Sequence, residues 1–289
     1  LSHGGQRITE NGEEVYVIQA DASYQPRIEL PGQPGPYLEV GKQTDFRFVA
    51  WPSSPSPKWT LTKGEIPKGL TFKDGKLSGT PGQAGRYGIT IEVSDGKTSA
   101  VRDFVLIVRP ANLAPSATKV LSRVSQVNPK DFEQFGLTGP LPLLADSVEV
   151  IRDGKTSGEG STFNSLALGM VMEKDYYGYE WDSPQRIGLI GFHTGIMESD
   201  GGWFLNLNAE YQAPDGTWKE VKGLSIDPPL VPGRNPEDKP HWVEYLLSFD
   251  PVETKAIRIL GDRKDQREGA EKRGWTSITE LTVHGPLGK

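Results

Sequence analysis

The feature that most constrains this chain is a succession of short alternating segments closed by turn dipeptides, densest from Ile66 to Gly96. Leu70 and Phe72 alternate with polar residues and run into Asp74-Gly75. That dipeptide suits a hairpin turn whose two central residues both need positive φ. Leu77 starts the return strand and Thr80-Pro81-Gly82 ends it, since Pro has no N–H to give a ladder. Tyr87, Ile89, Ile91 and Val93 then fall on one side of a period-two strand, with Gly88, Thr90, Glu92 and Ser94 on the other. Asp95-Gly96 turns the chain again, and Val101, Phe104, Leu106 and Val108 supply a last strand.

The residues of this stretch resemble the Putative Ig, cadherin-like modules of bacterial secreted proteins, whose pattern is P-x-G-L…G-x-L-S-G-T-P…G-x-Y…V-x-V-x-D-G. The matching residues are Pro67, Gly69, Leu70, Gly75, Leu77 to Pro81, Gly85, Tyr87, Ile91, Val93, Asp95 and Gly96. The resemblance covers about a third of the chain and implies a β-sandwich that spaces or presents other domains. It implies no chemistry.

Composition narrows the function classes. The net charge is −6, and basic residues cluster only from Arg263 to Arg273, where acidic ones interrupt them. No nucleic-acid footprint is expected, and no apolar run approaches a transmembrane segment. The absence of cysteine removes thiolate metal sites and a Cys nucleophile. The chain begins at Leu1 with no signal-like apolar region, which reads as a mature or excised fragment.

Taken in order, residues 1–25 read as an N-terminal extension, polar and Gly-rich over 1–12, with one strand from Glu14 to Ala20. That strand is either the end of an upstream domain or an added edge strand. Residues 26–110 form the Ig/cadherin-like β-sandwich, 111–117 a Pro-containing linker, and 118–289 a second strand-rich domain. Its expected strands include Val148 to Ile151, Tyr176 to Trp181, Arg186 to His193, Trp203 to Tyr211, Val243 to Phe249, Ala256 to Leu260 and Ile278 to Val283. One short helix is expected near Pro129 to Phe135, with Asn128 as its cap.

Within the second domain, Asp153-Gly154, Tyr211…Asp215-Gly216-x-Trp218, Ala256-x-Arg258-Ile259 and Glu280-Leu281-x-Val283-x-Gly285 follow one another. This order resembles the discoidin, or galactose-binding-like, domain; Ala213 and the long insert from Pro228 to Pro240 depart from the family pattern. The fold class implied is all-β, an Ig/cadherin-like sandwich followed by a galactose-binding-like jelly roll. The resemblance also implies a structural Ca²⁺ held by Asp153 and Glu280, whose oxygen donors suit a hard cation. Alternatively, Asp153 only caps a turn and Glu280 is a solvated strand residue.

The candidate ligand site is a set of aromatic–polar loop tips: Trp203 with Asp200, His241 with Trp242, and Arg273 with Trp275. Aromatic planes stack on sugar C–H faces while charged and polar groups bond the hydroxyls. The competing reading places these indoles in the core, since Trp is highly buried on average. The four histidines show no metal-ligating spacing, His193 reads as a structural hydrogen-bonder, and no nucleophile elbow or phosphate loop is present. The expected function is therefore a non-catalytic carbohydrate-binding region of a secreted or cell-surface bacterial protein, ancillary to a larger glycan-degrading enzyme. Its partners would be a glycan or cell-surface polysaccharide and other domains of a larger parent chain. The alternative is a structural or adhesive module without a sugar ligand.

Overall fold

The structure is a computed structural model, and it describes residues 5–10, 13–18, 27–29, 38–51, 57–124, 145, 147–157, 160–165, 174–197, 201–230, 242–263 and 275–288. The fold is all-β: no α-helix occurs among the described residues, only two 3-10 turns at Ala114–Ser116 and Val148–Arg152. None of the described residues forms a helix long and apolar enough to cross a membrane. The chain divides into two compact units, one of Leu1–Pro31, Gln43–Gly82 and Tyr87–Leu106, the other of Gly32–Lys42, Gln83–Arg86 and Ile107–Lys289.

The strands of the N-terminal part are β1 (Gly5–Glu10), β2 (Glu13–Ile18), β3 (Arg27–Glu29), β4 (Leu38–Glu39), β5 (Thr44–Arg47) and β6 (Val49–Trp51). They continue with β7 (Lys58–Lys63), β8 (Leu70–Lys73), β9 (Lys76–Gly79), β10 (Gly85–Ser94) and β11 (Ser99–Arg109). In the first unit β5, β9 and β8 make one small sheet, while β7, β10 and β11 make another. The Asp74-Gly75 turn joins β8 to β9 with φ of +51° and +72°, the mirror-image geometry that its two residue types favour. Phe48 stands at the centre of the core, with ring centroids of Phe46, Phe72 and Phe104 at 5.2, 5.7 and 5.1 Å. Leu77, Ile89, Ile91, Val93 and Leu106 are buried around it, so the period-two faces read in the sequence are the faces that pack. Residues 5–10, within the polar, Gly-rich stretch where no strand is expected, form β1, which pairs antiparallel with β2 in a two-stranded sheet of its own.

The second unit adds eight strands: β12 (Lys119–Ser122), β13 (Phe163–Asn164), β14 (Lys174–Thr194), β15 (Asn208–Gln212), β16 (Trp218–Glu220), β17 (Ser225–Asp227), β18 (Glu244–Asp262) and β19 (Ser277–His284). They form an antiparallel sandwich with the main order β13-β19-β14-β18-β15-β16. The long strands β14 and β18 run through the whole unit, where the sequence read two strands each. Their register slips between Glu180 and Gln185 and between Ile187 and Leu189, and these slips take up Pro184 and Pro251. Proline, which lacks the ladder donor, is tolerated at such bulges. The core between the layers holds Phe163, Tyr177, Tyr179, Trp181, Ile190, Phe192, Phe204, Leu247, Ile257, Ile259, Leu281 and Val283.

Two local expectations differ. Val148 to Ile151 is a 3-10 turn, because Ser147 Oγ accepts the Glu149 N–H and the apolar pair Val148 and Ile151, three apart, faces the core. From Trp203 to Tyr211 only Asn208 onward is strand; Gly202 and Phe204 make isolated bridges, to Thr276 and Arg263, instead. The expected helix near Pro129 to Phe135 lies outside the described residues. Residues 111–117 pack into the second unit: Ala114 and Ala117 are buried in its core, and the Leu113 N–H bonds Val283 O at 2.7 Å.

Candidate functional site

Three of the segments singled out in the sequence meet at one end of the second unit. Gly202 donates its N–H to Trp275 O at 2.8 Å, Gly195 donates to Ser277 O at 3.0 Å, and Trp242 donates to Gly195 O at 3.4 Å. The approach is close because position 201 carries no side chain: a Cβ there would lie 2.5 Å from Trp275 Nε1. Gly202 sits at φ +104°, which only glycine adopts without strain.

The three indoles of this end are not equivalent. Trp203 is 2% exposed and Trp275 6% exposed, so neither offers a free ring face, and both act in packing. Trp242 is 38% exposed and holds φ +58°, an uncommon conformation for a bulky residue. Asp200, His241 and Arg273 lie outside the described residues.

Asp153 and Glu280 come together on the flank of β19. Glu280, 2% exposed, accepts the Gly154 N–H at 3.1 Å. Burial pushes its pKa up to about 8; the Gly154 bond opposes this, and the nearby Asp153 charge adds to it. The Asp153 carboxylate accepts the Lys155 N–H at 2.8 Å, as a turn-capping Asp does. A buried carboxylate with one backbone donor and a second carboxylate beside it is an arrangement that a hard cation would relieve, so these residues fit Ca²⁺. No cluster of three or more His, Asp or Glu side chains suited to a metal occurs among the described residues. Further donors would have to be backbone or water oxygens.

Two buried ionic groups had no signature in the sequence. Arg109 and Glu244, with side chains 5% and 6% exposed, make a bidentate pair: Nη1 meets Oε1 and Nη2 lies 2.7 Å from Oε2. His193 Nε2 lies 3.2 Å from the same Oε1. Burial raises the Glu244 pKa, but the Arg109 guanidinium and the adjacent His193 outweigh it and hold the carboxyl well below the usual carboxylate range. The second group is centred on Asp175, fully buried at the start of β14. It accepts from Arg123 Nε at 2.7 Å, from Thr276 Oγ1 at 2.7 Å and from Ser165 Oγ. Tyr177 OH extends the group to Thr276 Oγ1 at 2.9 Å. Neither group could be found from spacing, because Arg109, His193 and Glu244, or Arg123, Asp175 and Thr276, are joined only by strand pairing.

Parts of the chain are similar to known proteins. The Putative Ig domain family matches residues 32–109. The region that follows resembles solved family 32 carbohydrate-binding modules, at low identity. A structure from a study of the Streptococcus pneumoniae β-galactosidase BgaA is 14% identical, with 59% of this chain and 92% of that chain covered and a TM-score of 0.41. The Clostridium perfringens module CpGH89CBM32-5, in complex with GalNAc-β-1,3-galactose, is 12% identical over 61% of this chain and 100% of that chain, with a TM-score of 0.38. The family 32 module of Clostridium perfringens NanJ, in complex with galactose, is 12% identical over 57% and 91%, with a TM-score of 0.34. No curated protein matches the chain.

Proposed function

We propose that this chain is a non-catalytic glycan-binding region of a secreted or cell-surface bacterial protein. The Ig-like module acts as a spacer, and the second unit binds sugar at the end where residues 195–197, 201–204, 242–243 and 275–277 meet. The observation that carries this reading is Trp242, a large ring 38% exposed and fixed in a left-handed backbone conformation beside Gly195. Residues held in sparsely populated conformations gather at ligand sites, where the surrounding structure must hold them against about 1–3 kcal/mol of strain. Trp242 supplies the stacking plane; Trp203 and Trp275 are buried at the same end. Asp200, His241 and Arg273 are the polar companions that would reach hydroxyls. Asp153 and Glu280 would hold a structural Ca²⁺ on the flank, fixing the Asp153-Gly154 turn.

One exposed ring gives few contacts, so single-site affinity is expected at about 0.1–1 mM. Losing a stacked ring costs about 1–3 kcal/mol by analogy with aromatic stacking on other ligands, enough to abolish binding that weak. The test is a glycan array followed by calorimetric titration of wild type, Trp242→Ala and Trp203→Ala. Trp242→Ala should lose binding at unchanged melting temperature, and Trp203→Ala should lose stability. Equal binding by wild type and Trp242→Ala would remove Trp242 from the site. No binding to any glycan would favour an adhesive or spacing role.

A further inference from the structure

Where the strands run out beside Trp242, side-chain hydroxyls take over from the backbone ladder. β14 and β18 stay paired as far as His193 and Glu244. One step further, Thr194 donates its N–H to Val243 O at 2.9 Å. The Val243 N–H returns a bond of 2.9 Å, and its acceptor is Thr194 Oγ1. A regular hydrogen-bonded antiparallel pair exchanges two backbone bonds. Here a hydroxyl takes the place of one backbone acceptor, on a residue that is 1% exposed.

The ladder on the other side of β14 slips at the same residue. His193 faces Glu280, but Thr194 faces Ile278. Thr279 is therefore the extra residue of a bulge, and its Oγ1 lies 3.1 Å from Thr194 O. Ser277 Oγ then accepts the Ile196 N–H at 3.0 Å. Bulges are over-represented beside sites, where they re-aim a side chain. The chain next to Val243 is Trp242, at φ +58° and with its N–H 3.4 Å from Gly195 O. Such a conformation persists in a bulky residue where its surroundings fix it. Of these backbone bonds, the two on Val243 are the shorter. His193 and Glu244, one step back along the ladder, are joined at 3.2 Å in the buried ionic group, so the strands themselves do not depend on the Thr194 hydroxyl.

We infer that Thr194 is a positioning residue of the sugar site: its hydroxyl holds Val243 and so sets how the neighbouring Trp242 ring is presented. The inference rests on the glycan-binding reading above and assigns control of that site to a side chain too buried to meet the sugar. Threonine is stiff at χ1, which keeps its oxygen aimed at Val243. Valine has the same shape without the oxygen and leaves the Val243 N–H without this acceptor.

The test reads the ring and the sugar separately. The intact chain is labelled with 5-fluorotryptophan, and the Trp242 ¹⁹F signal is assigned with Trp242→Phe. Affinity is measured by calorimetry with galactose and with the glycan that wild type binds most tightly on an array. Thr194→Val should shift or broaden the Trp242 signal and weaken binding by at least about fivefold, the size of one net hydrogen bond. Thr194→Ala removes the same oxygen and should act in the same way, so the test does not hang on one variant folding. Thr194→Ser keeps the oxygen and should retain both the signal and the affinity. Ile257→Val, in the core of the same unit, lowers the melting temperature and should change neither. A Trp242 signal and an affinity both unchanged in Thr194→Val would overturn the inference and leave the glycan reading standing. An equal loss of affinity in Ile257→Val, or a loss in Thr194→Ser as deep as in Thr194→Val, would trace the effect to general destabilisation and also overturn it. A wild type that binds nothing on the array would overturn the glycan reading, and this inference with it.

Discussion

Replacing Arg109 by Met tests how the second unit tolerates a buried charge. Arg109 and Glu244 are almost fully enclosed, and Met has about the same reach without the charge. Truncating one member of a buried pair typically costs about 3–5 kcal/mol, because the other charge stays buried and uncompensated. The pH dependence is more specific. In wild type the Glu244 carboxyl titrates far below its ordinary 4.5, so its stabilisation is present above pH 4.5 and lost as the pH falls toward the depressed value. Without Arg109 the folded chain can keep Glu244 by protonating it, which costs about 1.4 kcal/mol for each pH unit above 4.5. That is about 3.4 kcal/mol at pH 7 and about 0.7 kcal/mol at pH 5. The gap between wild type and variant should therefore narrow by about 2–3 kcal/mol on going from pH 7 to pH 5. Urea unfolding followed by tryptophan fluorescence at several pH values measures it, since Trp181, Trp203 and Trp275 are all buried in this unit. Pairing Arg109→Met with Glu244→Gln, which has no titrating carboxyl, should make the gap flat. A single-variant gap that is below about 1 kcal/mol, or that does not change with pH, would refute the argument.

Three further outcomes are expected. A fragment starting at Thr118 lacks Arg109 and the buried Leu38 and Ala114, and should melt well below the full chain, by an amount equivalent to at least about 3–5 kcal/mol for the Arg109 pair alone; a fragment as stable as the intact chain would remove these residues from the second unit. A chelator should lower the melting temperature and Ca²⁺ should raise it, with the response lost in Glu280→Gln; an unchanged melting temperature in both directions would argue against a bound ion. His284 is buried beside Arg109, Glu39 and Glu244, and its Nδ1–H bonds Pro110 O at 2.7 Å; burial first, then the Arg109 charge, lowers its pKa from 6.5 to about 4. Its folded pKa is below the unfolded one, so it withdraws up to about 3 kcal/mol as the pH falls from 6.5 to 4, and His284→Gln should flatten that part of the stability profile.

The architecture was legible wherever a rule of period or turn chemistry applied. Asp74-Gly75 folds as its two residue types require, and Ile89, Ile91 and Val93 bury the face their alternation assigns. Legibility failed where tertiary pairing overrode the local pattern. Val148 to Ile151 alternates like a strand, yet two apolar residues three apart serve a 3-10 turn equally well. Trp203 to Tyr211 alternates too, but Phe204 contacts Arg263 through a single bridge and no ladder forms until Asn208. Residues 111–117 look like a linker by composition. They carry buried alanines because Asn112 and Leu113 pair with the end of β19, a partner about 170 residues away that no window of sequence contains.

The candidate site divides along the same line. Loop chemistry could nominate Trp203, Trp242 and Trp275 but could not rank them, because whether an indole is floor or surface depends on what its neighbours cover. The structure separates them by exposure: Trp203 and Trp275 are buried, with Gly201 lying against the Trp275 ring, while Trp242 is 38% exposed. The charged groups were harder still. Arg123 reads as one more surface arginine, and only the pairing of β12, β13, β14 and β19 brings it to Asp175. Once there, the bookkeeping of donors and acceptors becomes informative in a way composition never is. Asp175 accepts there from Arg123, Ser165 and Thr276, three residues that no spacing in the sequence brings together.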